Sequence, residues 1–118
     1  MRKSYYLVFA SSKGVDDTAS DIADRLSIDF EPRESSYLGG AYYKYAGYYA
    51  DRLSVEPVTE DNNRALDPGA TQNARGLVFV QHTTGKNADR KAKSAYLRTQ
   101  LQAIEGLSLV REAVVEEP

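Results

Sequence analysis

E-S-S-Y-L-G-G-A-Y-Y-K-Y-A-G-Y-Y-A-D-R-L-S-V-E-P-V, residues 34–58, holds six of the nine tyrosines of the chain: Tyr37, Tyr42, Tyr43, Tyr45, Tyr48 and Tyr49. Aromatic side chains fit a pleated, half-buried surface, and Gly39-Gly40 supplies the positive φ that a tight hairpin needs. The stretch therefore predicts antiparallel sheet. A strand over 28–37, placed at an edge or bulge by Pro32, turns at the glycines into a strand over 41–49, and a third follows over 52–58. Odd positions Tyr43, Tyr45 and Tyr49 are uniformly aromatic and are expected to face the helices. Tyr42, Lys44, Ala46 and Tyr48 are expected to face outward, with Gly47 a bulge that could exchange the faces beyond it. In the third strand Leu53 and Val55 point inward and Arg52, Ser54 and Glu56 outward.

Working outward from this block, Ser4 to Ala10 is a continuous apolar run of the kind buried on both faces. Val15, Ala19, Ile22, Ala23 and Leu26 form one stripe of a helix, with Asp16 or Asp17 as its cap. On the other side, residues 59–75 carry no apolar period and contain the turn signature Asp67-Pro68-Gly69, so a long loop is expected. A second buried strand spans 76–82. A helix then runs from Asn87, its expected cap, to about Glu105, with Ala88, Ala92, Ala95, Leu97, Leu101 and Ile104 inward and Gly106 closing it. Its outer side is basic: Lys86, Arg90, Lys91, Lys93 and Arg98. A last strand over 107–115 leaves 116–118 as a frayed tail. The order β-α-β-β-β-β-α-β predicts an α+β fold: one domain, 1–118, with a mainly antiparallel sheet of five to six strands and two helices packed on it, admitting one or two parallel pairs.

Composition narrows the function classes. The chain has 118 residues and no cysteine, which removes thiol nucleophiles, thiolate zinc sites and disulfides together. Its longest apolar run near the start is six residues, too short for a membrane span, so a cytoplasmic location is expected. The net charge of -2 hides a gradient: residues 15–60 carry ten acids against four bases. A negative face repels nucleic acid and draws basic proteins.

No catalytic set is evident. His82, the only histidine, ends a buried strand with no nucleophile or acid assigned to it, and no ligand spacing suggests a metal. Thr83-Thr84-Gly85-Lys86 precedes a helix as in a phosphate-binding loop, but Val80 stands where that motif needs glycine and Asn87 where it needs Ser or Thr. The basic side of the second helix is too narrow on an acidic chain to predict direct nucleic-acid binding.

Tyrosines on an exposed sheet offer rigid contact area, and acidic neighbours steer a basic partner. The block Phe30–Tyr43, F-E-P-R-E-S-S-Y-L-G-G-A-Y-Y, behind a short strand and an acidic helix, resembles the central hairpin of small immunity proteins of bacterial contact-dependent growth inhibition and related polymorphic toxin systems. The resemblance implies a cytoplasmic, non-enzymatic protein without cofactor. It would bind the C-terminal toxin domain of its own strain's effector, often a nuclease, and occlude it stoichiometrically. The expected contact residues are Asp17, Asp21, Asp24, Tyr42, Tyr48, Glu56 and Glu60. Two other readings compete: a small enzyme or ligand-binding domain using His82 with 59–75 as a lid, and a nucleic-acid-binding domain working through Arg90, Lys91, Lys93 and Arg98.

Overall fold

The computed structural model describes all 118 residues. Six strands, β1 (Arg2–Ser11), β2 (Glu31–Ser35), β3 (Gly40–Tyr45), β4 (Arg52–Glu56), β5 (Gly76–His82) and β6 (Leu107–Glu117), form one sheet in the order β2-β3-β4-β5-β1-β6. Helix α1 (Val15–Leu26) follows β1, and α4 (Asn87–Gln102) follows β5. Two single-turn helices, α2 (Glu60–Asn63) and α3 (Pro68–Thr71), lie between β4 and β5. The α+β architecture is as expected, but every pairing is antiparallel. The parallel pairs that the sequence admits do not form. After α1 the chain goes to the far edge of the sheet, and the β2-β3-β4 meander brings it back to β5, which pairs antiparallel with β1.

Strand alternation divides the core in two. Leu7 and Phe9 of β1, Leu53 and Val55 of β4 and Val78 and Val80 of β5 point to one face, where Ala19, Ile22 and Leu26 of α1 and Leu97 and Leu101 of α4 cover them. Fully burying one such aliphatic contributes about 1.5–3 kcal/mol, so this layer dominates the stability. On the back face Val8, Ala10 and Leu77 meet Leu66, with Val58, Ala74, Phe79 and Val110 around them. Residues 59–75 are thus no unstructured loop; they lie on the back of the sheet. Their order comes from local hydrogen bonds: Thr59 and Asn62 make a reciprocal capping box, and the Asp67 side chain accepts from the Gly69 amide. Leu66 supplies the single apolar anchor.

The hairpin block is corrected in detail. Tyr43, Tyr45 and Tyr49 pack against the main core as expected. However, β3 stops at Tyr45, so Tyr48 and Tyr49 belong to the loop before β4. Gly47 is no bulge. The Tyr45 ring crosses it so closely that a β-carbon there would stand 2.7 Å from the Tyr45 hydroxyl. The sheet's irregularity lies in β6, where the register against β1 skips Val110. Gly47→Ala is expected to push Tyr45 off its seat and cost about 1–2 kcal/mol, read as a lower urea midpoint at unchanged slope.

Three helix and strand ends also differ. Gly14, with no side-chain cap, precedes α1, and Asp16 and Asp17 lie in its first turn, where the helix dipole still favours them. Asn87 does not cap α4; its amide donates to the carbonyl of Met1 and its side-chain oxygen accepts from the Lys3 amide. Those bonds hold the start of β1, and Glu116 and Glu117, expected to fray, remain paired to Lys3 and Arg2 in the ladder. The inward stripe of α4 is Arg90, Ser94, Leu97 and Leu101, leaving Ala88, Ala92 and Ala95 exposed.

Candidate partner-binding surface

The strand order turns the charge gradient of the sequence into a spatial one. Residues 15–60 build α1 and β2, β3 and β4, which occupy one side of the sheet, with β2 at its edge and exposed along nearly its whole length. With Thr18, Ala19, Ile22 and Leu26 buried, helical geometry makes Asp17 and Asp24 outermost on α1. It turns Asp16, Ser20 and Ala23 toward the β2–β3 hairpin and Asp21 and Arg25 toward α4. The contacts agree. The Tyr43 hydroxyl donates to Asp16 at 2.7 Å, Lys13 pairs with Asp21 at 2.8 Å, and Arg25 donates to the Gln100 side chain at 2.9 Å. The hydrogen bond to Asp16 raises the Tyr43 pKa, because ionising the phenol beside a carboxylate is unfavourable.

Between α1 and the hairpin lies a groove of about 220 Å³ walled by Asp16, Ala19, Ser20, Ala23, Phe30 and Tyr43. Phe30 and Tyr43 meet edge to face, centroids 6.3 Å apart. Asp29, Glu31 and Glu34 are exposed nearby in sequence, with Arg33 on Glu31 at 2.9 Å. An apolar cleft with the Asp16 carboxylate in its wall suits a basic side chain, whose aliphatic stem needs apolar contact and whose head needs charge.

The seven sequence-predicted contact residues do not converge. Asp17 and Asp24 are exposed on the acidic side, and Asp21 is engaged by Lys13. Tyr48 is 76% exposed, but in the loop beside α4. Tyr42 and Glu56, expected to face outward, are 9% and 5% exposed on the back face. Glu56 accepts from the Ser54 hydroxyl at 2.6 Å and lies 4.0 Å from Arg52, so it is internally satisfied and not free for a partner. Glu60 is exposed, in α2 on the same back face. The reason is that residues 57–75 pack on what the alternation pattern marks as solvent-facing sheet.

A second aromatic surface was not anticipated. Tyr48, Tyr49, Ala92, Lys93 and Tyr96 line a groove of about 400 Å³. Tyr49 stacks on Tyr96 at 6.0 Å, Tyr48 meets Tyr49 edge to face, and the Lys93 ammonium sits 4.8 Å over the Tyr48 ring. The loop that carries Tyr48 and Tyr49 is fastened from beneath. Asp51 accepts from the amide and hydroxyl of both Thr83 and Thr84, the Thr84 hydroxyl at 2.5 Å. Burial alone would raise its pKa, but these bonds, the Thr84 hydroxyl foremost, bring it down to about 2. His82 Nε2 lies 2.6 Å from the Tyr49 carbonyl, which assigns the proton to that nitrogen and leaves the buried Nδ1 without a partner. Burial lowers the His82 pKa.

The geometry bears on both competing readings. His82 faces α4, whereas residues 59–75 cover the back of the sheet, so the expected lid is not over the histidine. The basic side of α4 is smaller than its composition suggests: Arg90 points inward, Arg98 pairs with Glu112 at 3.0 Å, and Lys93 covers Tyr48. No three His, Asp or Glu side chains are grouped to hold a metal ion, and no helix is long and apolar enough to cross a membrane. Comparison with protein-family models, curated proteins and solved structures yields no match.

Proposed function

We propose that this chain is a cytoplasmic, non-enzymatic immunity protein that binds a basic toxin domain one to one through the acidic side made by α1 and the β2–β3 hairpin. The observation that carries it is the Phe30–Tyr43 groove rimmed by Asp16 beneath the exposed Asp17 and Asp24. That groove lies in the same block, Phe30 to Tyr43, whose sequence resembles immunity proteins. The exposed carboxylates of α1 steer a basic partner, Asp16 in the cleft wall can pair with it, and the aromatic floor gives contact area at small entropic cost. Occlusion of a toxin needs contact groups and no turnover.

The test is to look upstream of this gene for a large secreted protein ending in a variable toxin domain, whose absence would overturn the proposal, and to co-express that domain with the chain. The wild-type chain is expected to restore growth and co-purify at one to one. Reversing Asp17, Asp24 and Glu31 to Lys is expected to slow association at least about tenfold at low salt and to flatten its salt dependence. Loss of viability despite the wild-type chain, or a triple variant that binds as fast as the wild type, would overturn the proposal.

A further inference from the structure

The two edges of the sheet are unlike. β2 is five residues long, carries Pro32 and exposes charge at Glu31, Arg33 and Glu34, all of which blunt an edge against pairing. β6 is eleven residues long, contains neither proline nor glycine, and pairs only with β1. Beyond its irregularity at Val110 the strand continues through Arg111–Glu117 in unbroken register with Arg2–Val8. Two adjacent valines there, Val114 and Val115, are 49% and 44% exposed. Val115 and Ala113 also border a back-face groove of about 250 Å³ that includes Tyr6, Val8, Leu66 and Phe79. A long open row of backbone donors and acceptors beside uncovered apolar side chains is a template for another strand.

We infer that the edge of β6 pairs antiparallel with β6 of a second copy of this chain, joining two sheets into one. The occupant follows from the charge pattern. A two-fold axis perpendicular to the sheet keeps each face on its own side, so only residues of equal parity can stand opposite one another. Centring the axis on Arg111 or Glu112 sets like charges directly opposed, and centring it on Ala113 sets Arg111 against Val115. Centring it on Val114 pairs Arg111 with the second copy's Glu117 twice, Ala113 with Val115 twice, and Val114 with itself. The like-charged pairing this creates, Glu112 with Glu116 twice, is already neutralised within each copy. Arg98 holds Glu112 at 3.0 Å and Lys3 holds Glu116 at 3.5 Å.

The contributions divide by kind. Seven residues from each strand form roughly six to eight main-chain hydrogen bonds across the new ladder. The valines, with the alanines beside the Tyr6–Phe79 groove, remove apolar area from water. The two Arg111–Glu117 pairs are exposed and weak, so they select the register more than they supply affinity. The acidic α1–β2 side lies at the opposite end of the strand order from β6. A dimer of this form leaves both acidic surfaces free.

The chain has no cysteine, which makes the register directly readable. In the Val114 register Val114→Cys sets two thiols on directly opposed residues, at a separation that a disulfide spans. Ser108→Cys on the same strand faces no residue of the second copy. Under mild oxidation Val114→Cys is expected to convert to covalent dimer while Ser108→Cys does not. Wild-type protein is expected to sediment at twice 13.1 kDa. Glu117→Arg is expected to weaken the dimer about tenfold, and Arg111→Glu with Glu117→Arg to restore it. A wild-type chain monomeric at micromolar concentration, cross-linking of Ser108→Cys as complete as that of Val114→Cys, or failure of the double reversal to restore association would overturn the inference.

Discussion

Replacing Arg90 with alanine is expected to destabilise the fold by about 3–5 kcal/mol, a large share of the roughly 5–15 kcal/mol that holds a domain of this kind together. Arg90 is 4% exposed, and none of the six ion pairs in the structure includes it. Its guanidinium instead donates to three neutral acceptors on two segments: the carbonyl of Lys3 at 2.5 Å, the carbonyl of Gly85, and the side-chain oxygen of Asn87. One planar fork thus ties the start of β1 to the turn before α4. Truncation strips the Lys3 and Gly85 carbonyls of this donor, while the Asn87 oxygen keeps the Lys3 amide, and it opens a void where a 4% exposed side chain stood; each unmet buried group costs about 1–3 kcal/mol. Arg90→Lys keeps the charge, but a single ammonium cannot reach three diverging acceptors, so less than half of the loss is expected to return. Lys91→Ala, one residue on and exposed, is expected to change stability by less than about 0.5 kcal/mol. Urea midpoints of the three variants decide the matter. If Arg90→Ala behaves like Lys91→Ala, the side chain is solvated and the tie does not exist.

Arg90 also shows where the sequence was legible and where it was not. Strand and helix positions could be read because Leu7, Phe9, Leu53, Val55, Val78 and Val80 obey the two-residue period and Ala19, Ile22 and Leu26 the helical one. Hydropathy assigns every Arg to solvent, so the inward stripe of α4, spaced 90, 94, 97 and 101, was displaced onto Ala88, Ala92 and Ala95. Its spacing was the available signal; its residue types hid it. The cover over the back face was illegible for a related reason. Residues 59–75 gain their order from caps and from Leu66, with Ala74 and Thr71 beside it, which leaves no period, so hydropathy places Glu56 and Tyr42 in solvent. The acidic side was legible as charge along the chain, but the strand order was needed to show that α1 and β2 share it. Asp51 carried no signal at all, because its four donors lie more than thirty residues away in sequence.

Acidification is expected to weaken the protein in two separable steps, because two groups beneath the tyrosine loop titrate in the same direction at different pH. Burial holds the folded His82 pKa below the ordinary 6.5. Among its charged neighbours Asp51 opposes that shift and Lys93 adds to it. The unfolded chain therefore binds the proton more readily, and stability falls as pH drops from about 6.5 toward the folded value, with no further loss below it. Asp51 is depressed from 3.8 to about 2, so its contribution is complete above the unfolded value and is lost between about pH 4 and pH 2. Partial exposure reduces that contribution to about 1–2 kcal/mol. Asp51→Asn turns an amide toward the donors of Thr83 and Thr84; it is expected to cost about 2 kcal/mol at neutral pH and to abolish the lower step. His82→Gln is expected to abolish the upper step and leave the lower one intact. The chain has no tryptophan and nine tyrosines, so the difference in emission between the wild-type chain and a Tyr48→Phe, Tyr49→Phe variant isolates the loop. Release of Asp51 and His82 frees Tyr48 and Tyr49 from Tyr96, so the emission change is expected to precede the loss of helical circular dichroism. Coincidence of the two signals at every pH would mean that the loop and the sheet melt as one unit and that the fastening beneath the tyrosines has no separate equilibrium.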